Sequence, residues 1–114
     1  MATKPIYVRE RRATPRWMEP GSILPEPRSY DRHELYFTLH AREVLERRNI
    51  TPDTVWDIMR SPDIIEPNDG RLRFVGYGLA VVLGSKKHQF NNWPIITVLL
   101  RDGNQWTDKD ARER

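Results

Sequence analysis

The apolar positions of this chain change their spacing twice. Up to about residue 33 they follow no period, and five of the nine prolines fall there (Pro5, Pro15, Pro20, Pro25 and Pro27). Proline fixes φ and removes a donor, so this stretch is expected to be an extended, largely irregular arm. Its Ile6, Tyr7, Val8, Trp17, Met18, Ile23 and Leu24 could dock on the body or on a partner. Glu34–Thr38 then has the character of a short strand. From Thr38 to Pro62 the spacing is helical. Ala41, Val44, Leu45 and Arg48 fall at i, i+3, i+4 and i+7 and form one face. Thr38 is an N-cap candidate, and Asn49 stands where a left-handed C-terminal cap is expected. Thr51 caps a second helix with Pro52 at its first position and Asp53 in its first turn. Val55, Ile58 and Met59 form its buried face, with Trp56 on the flank, and Ser61-Pro62 ends it.

Beyond Asp63 the period becomes that of strands. Pro67–Gly70 is predicted to be a turn. Arg71–Val75 alternates, with Leu72 and Phe74 on one face and Arg71 and Arg73 on the other. Gly76-Tyr77-Gly78 is a bend or bulge, Leu79–Leu83 a buried strand, and Gly84–Pro94 a polar loop. Ile95–Leu100 is continuously apolar, as a central strand covered on both faces should be. An exposed edge of that composition would invite aggregation. Thr107–Asp110 has the form of a helix start. The fold predicted is α+β: a strand, two short helices, then a three-stranded antiparallel sheet with the helices on one face. The domains expected are a basic, proline-rich arm over residues 1–33 and an α+β body over residues 34–114.

A length of 114 residues suits one body of this kind. The absence of cysteine excludes disulfides and thiolate metal sites. The three histidines, His33, His40 and His88, have no zinc-ligand spacing, and no metal or cofactor is expected. No apolar run approaches a membrane span, and the charged, proline-broken N-terminus is unlike a signal peptide, so a soluble, cytoplasmic protein is expected. The net charge of +3 is uneven. Residues 1–18 carry Lys4, Arg9, Arg11, Arg12 and Arg16 against Glu10, leaving 14 basic and 15 acidic residues of the chain's 19 and 16. A basic arm on a near-neutral body suits an anionic partner, nucleic acid first; a solvated tail is the ordinary alternative.

Several of these residues form a familiar set. His40-Ala41, then Arg48-Asn49-Ile50-Thr51, then a capped helix ending at Pro62, resemble the His-Ala…Arg-Gly-Ile-Ser/Thr motif of a small bacterial and phage domain family of unknown function. Gly70–Phe74 and Ile96–Val98 match two strands of the same family, and the resemblance covers about residues 36–101. The family is similar in element order to the RelE/ParE-like toxin fold, which hosts ribonucleases and gyrase inhibitors. The resemblance therefore implies a toxin-like fold and not an activity; the partners expected with such a fold are RNA or a host protein, and a cognate antitoxin. Two positions depart from the pattern. Asn49 replaces a glycine, at little conformational cost. Val44 stands where the family often has a second arginine.

Metal-independent RNA cleavage needs an acid and base for the oxygens and cations for the phosphate. His40 is the catalytic candidate, and Arg42, Arg47, Arg71, Arg73 and Arg101 are the nucleic-acid-binding candidates. On a helix His40 and Arg47 project alike, two turns or about 10 Å apart, with Glu43 between them. Each residue also has an ordinary explanation. A histidine bordering an apolar stripe usually packs and bonds locally. Arg48 lies inside the stripe and suits a structural pairing. Arg71 and Arg73 suit a solvated strand face. Lys86-Lys87-His88 suits a solvated loop, with a phosphate contact as the lesser reading. Trp17, Trp93 and Trp106 suit core or lid positions more than base-stacking ones. The leading reading is a toxin-like domain that acts on RNA as a metal-independent endoribonuclease or as an RNA binder. The alternative is a non-enzymatic, phage-encoded protein that binds and modulates a host protein.

Overall fold

The computed structural model describes residues 6–7 and 20–107. Nine strands and two helices follow in the order β1 (Ile6–Tyr7), β2 (Ser22–Ile23), β3 (Leu35–Phe37), α1 (Leu39–Arg48), α2 (Pro52–Arg60), β4 (Ile64–Asn68), β5 (Arg71–Gly76), β6 (Leu79–Leu83), β7 (Lys86–Lys87), β8 (Trp93–Asp102) and β9 (Gln105–Thr107). A 3₁₀ turn at Arg32–Glu34 leads into β3.

The two helices form where the caps predict them. The Thr38 hydroxyl accepts from Ala41 N–H at 3.2 Å and donates to the Ile95 carbonyl at 2.9 Å, so one side chain starts α1 and fastens it to β8. Asn49 closes α1 at φ 56° and ψ 43°, and Ile50 N–H bonds back to Leu45 O at 2.9 Å. Thr51 accepts from Thr54 N–H to start α2. Ala41, Val44, Leu45, Val55, Ile58 and Met59 from the helices share one core with Ile65, Leu72, Phe74, Val81, Leu83, Ile95 and Val98 from the sheet. Both helices therefore cover the same face.

The class is α+β, with a larger and more mixed sheet than the three antiparallel strands expected. Its order is β1-β4-β5-β6-β8-β3, and β9 also pairs with β8. β4, β5, β6 and β8 are antiparallel neighbours, whereas β3 runs parallel to β8 and β1 parallel to β4. β8 is an interior strand, with β6 on one edge and β3 and β9 on the other, so its apolar run is not left as an exposed edge. Three segments differ from the sequence expectation. Pro67 lies inside β4, two residues past Ile65, which pairs with Tyr7 of β1, so among the described residues its missing N–H breaks no bond to that neighbour. The turn is instead the two-residue pair Asp69-Gly70, at φ 51° and 83°. Tyr77-Gly78 repeats this turn at φ 53° and 71°, the hairpin geometry whose twist matches its strands. The polar loop after Gly84 contains β7, which pairs antiparallel with β2. Thr107 ends β9 rather than starting a helix, and Asp108–Asp110 lie outside the described residues.

The boundary expected after residue 33 does not separate two bodies. Tyr30 is 1% exposed and packs edge-on against Phe74 and Trp93, with ring centroids 5.8 and 5.9 Å away. Its hydroxyl donates to Glu26 O and accepts from Glu26 N–H, both at 2.9 Å, and its own N–H bonds Met59 O. Residues 20–33 thus belong to the body, while the arm before them, apart from the β1 pairing, lies outside the described residues. Burial pushes the Tyr30 phenol up to about 12. The Arg28 guanidinium, 3.1 Å from Glu34, and the Asp31 N–H hold the Glu34 carboxyl below its ordinary value.

β8 carries one irregularity. Leu83 pairs with Ile95 and Val82 with Thr97, so Ile96 is an extra residue, a β-bulge. Ile95 and Val98 face the helices, whereas Ile96 and Leu99 join a second apolar cluster on the other face with Val75, Ala80, Val82 and Trp106. Among the described residues no helix is long and apolar enough to cross a membrane.

Candidate nucleic-acid interface

The histidine and arginines singled out from the sequence divide between the two sides of the sheet. His40, Arg42 and Arg47 lie on α1, in the helical layer. His40 is half-buried and Arg42 exposed. The two terminal guanidinium nitrogens of Arg47 are buried, with no acceptor among the described residues. In that position they are closed to a phosphate. Arg71 and Arg73 alternate with the buried Leu72 and Phe74 and so emerge on the face without helices. Arg101 shares that face, cross-strand from Trp106. The sheet itself therefore separates His40 from three of its five expected cationic partners. The single phosphodiester site expected from the sequence is not assembled.

Arg73 is already engaged. It bonds Glu66 Oε1 at 2.7 Å and Asn68 Oδ1 at 3.2 Å. The Trp106 indole N–H donates to the same Glu66 oxygen at 3.1 Å, and the Arg73 and Arg101 guanidinium carbons each lie 5.5 Å from the Trp106 ring centre. This network fastens β9 to β4 and β5, a structural use of an arginine that alternation alone leaves solvated. Thr97, also facing this side, has a buried hydroxyl without a partner among the described residues.

The side without helices carries a different grouping. Tyr36 follows Leu35 and precedes Phe37, both packed in the helix-side core, so it projects to the opposite face. Tyr36 is 42% exposed and Phe90 48% exposed. Between them lies a cleft of about 240 Å³ lined by Arg71, Lys86, Lys87 and Ile96. Ile96 is the bulged residue, and Gly84 makes room for it. A Cβ on Gly84 would stand 2.8 Å from the Ile96 side chain. Lys86 is held over Trp93, its ammonium 4.5 Å from the ring centre, and it donates to Asn91 O at 3.4 Å. The β2–β7 pairing fixes the backbone of both lysines. A second cleft of about 520 Å³ adjoins the first and shares Tyr36 and Phe90, adding Gln89, Asn91 and Asn92.

A further cleft of about 600 Å³ lies between the 3₁₀ turn and α2. Its Asp31, Asp53 and Asp57 face Arg32, His33 and Arg60, and Arg60 pairs with Asp57 at 2.8 Å. With both signs present, it offers no charge by which to select a ligand. Among the described residues no three of His, Asp and Glu stand close enough to hold a metal ion.

No family model, curated protein or solved structure matches this chain. Residue roles here therefore rest on geometry. Geometry ranks the aromatic and cationic cleft above the α1 histidine.

Arg71 is legible in the sequence as a cation, and Lys86 and Lys87 as a lesser reading of a loop, whereas Tyr36 and Phe90 stand out only in the structure. The signal for Tyr36 was present, since an aromatic between two core residues of one strand must face the other way. The signal for Phe90 was an isolated aromatic in a polar loop, which carries no period.

Proposed function

We propose that this protein binds single-stranded RNA on the sheet face turned away from its helices. The observation that carries this reading is the cleft in which Arg71, Lys86 and Lys87 lie between the exposed rings of Tyr36 and Phe90. Cations of this kind neutralise phosphates, and exposed rings stack on bases. A base paired in a duplex does not offer its face to a ring, so the single strand is the form that fits. Cleavage would need His40 beside the phosphate-binding cations, but Arg71 emerges on the face opposite α1 and His40 is not part of the cleft lining. The reading is accordingly of binding rather than of catalysis. The order β3-α1-α2 followed by antiparallel β4-β5-β6-β8 supports a RelE/ParE-like body adapted to RNA.

The test is a titration of a labelled oligoribonucleotide, single-stranded and duplex, between 50 and 200 mM salt. Three phosphate contacts predict a log–log salt slope of about −2 for the single strand. Lys86→Gln and Lys87→Gln should each weaken binding and flatten that slope by about 0.7. Incubation of total RNA in EDTA should leave it intact. Absence of salt-dependent binding would remove the reading, and cleavage abolished by His40→Ala would replace it with the ribonuclease.

A further inference from the structure

The two clefts that meet at Tyr36 and Phe90 differ in chemistry. One side presents Arg71, Lys86 and Lys87. The other presents Gln89, Asn91 and Asn92, with no ionisable group besides the Tyr36 phenol they share. We infer that the Tyr36–Phe90 pair divides a nucleotide: its phosphate lies on the cationic side, and its base enters the amide side as a recognition slot. This inference rests on the RNA-binding reading above and adds to it a site for one unpaired base.

The amide side suits a nucleobase for three reasons. A base is flat and uncharged, and it carries donors and acceptors on its edge. Two exposed rings supply its faces with stacking surface at little entropic cost, because each ring has only two side-chain torsions. Amide side chains supply its edge with one donor group and one acceptor, the pattern that pairs in a bidentate way with adenine. Asn92 is pinned, its amide N–H donating to His33 O at 2.8 Å. It frames the slot, which leaves Gln89 and Asn91, both exposed, to read the base edge. The two sides are also mechanically joined. Lys86 donates to the backbone carbonyl of Asn91, so the phosphate side and the base side hold a fixed offset. A proline-rich peptide would also find exposed rings here, but it carries no phosphate to complement the cationic side.

The experiment uses the full chain and measures anisotropy with oligo(A), oligo(U) and an oligomer in which abasic sites replace the bases. Oligo(A) should bind about tenfold more tightly than oligo(U), and the abasic oligomer most weakly. Phe90→Ala and Tyr36→Ala should each lower oligo(A) affinity roughly 5- to 100-fold, and Tyr36→Phe and Phe90→Trp should retain it. Because both rings are exposed, these variants should keep the wild-type circular dichroism, which checks that folding is not at fault. Asn91→Ala should bring oligo(A) down to the affinity of oligo(U) and leave oligo(U) unchanged, whereas Lys87→Gln should weaken both alike. RNA binding with no base preference, or unaltered by Phe90→Ala, overturns the slot while sparing the RNA reading. Binding of a proline-rich peptide with no binding of RNA overturns both.

Discussion

Tyr30 shows how much one side chain can do without a pattern to announce it. It stands in the proline-rich stretch, flanked by Ser29 and Asp31, and no apolar period leads to it. Yet its ring meets Phe74 and Trp93 in the core, and its hydroxyl closes the loop from Glu26. Burial holds the phenol neutral up to about 12, against an ordinary value of 10.0. A raised pKa of an acid favours the neutral form in the folded state. The associated stability is complete below pH 10 and is lost as the pH climbs from 10 to 12. Two units correspond to ~3 kcal/mol. Tyr30→Phe should cost about 1 kcal/mol at pH 8 through its lost hydrogen bonds. Its deficit relative to the wild type should shrink above pH 10 and reverse toward pH 12, measured by urea unfolding across that range. A deficit that stays constant from pH 8 to 12 would show that the phenol ionises freely in the folded chain. Arg47 teaches the converse lesson. Helical spacing placed it beside His40, but spacing does not report that its guanidinium ends buried.

At the scale of elements, the helices were legible because caps are local. Thr38, Asn49, Thr51 and Pro52 each act within about one helical turn, and each does what its residue type favours. The two N-caps nevertheless differ in reach. Thr51 bonds only within α2's first turn, through Thr54, whereas Thr38 also donates to Ile95 across to β8. Thr51→Ala should therefore cost about 1 kcal/mol, and Thr38→Ala about 2 kcal/mol. Denaturant midpoints would separate them, and equal losses would mean that the bond to β8 adds nothing. Strands β4 and β7 were not legible because their evidence lies in distant partners. Pro67 reads as a breaker until it is seen paired with Leu72 of β5, and Lys86-Lys87 reads as loop until Ser22-Ile23 lies beside it.

For the whole molecule, the decisive quantity is which side of the sheet a residue occupies. The sequence places Arg71 and Arg73 correctly opposite Leu72 and Phe74, because alternation is a local property. It does not place His40 relative to them, because that depends on which face the helices cover. The candidate site was thus legible in its cations and not in its geometry. Tyr36, on a strand laid parallel to β8, became part of a site only through a pairing 58 residues away in sequence, with Pro94. The bulge at Ile96 bears on how such a molecule can change. Removing Ile96 would leave Ile95 opposite Leu83 and Thr97 opposite Val82, the partners they already have, and every later residue would keep its face. Removing Val98 instead would exchange the two faces from Leu99 onward. The shortened chain lacking Ile96 should therefore fold cooperatively by thermal circular dichroism and, on the RNA-binding reading proposed above, bind RNA poorly, having lost the floor of its cleft, whereas the chain lacking Val98 should not fold. At this one position the length of the chain is free to vary under a fixed architecture, so a single codon gained or lost would remodel the cleft without disturbing the sheet around it.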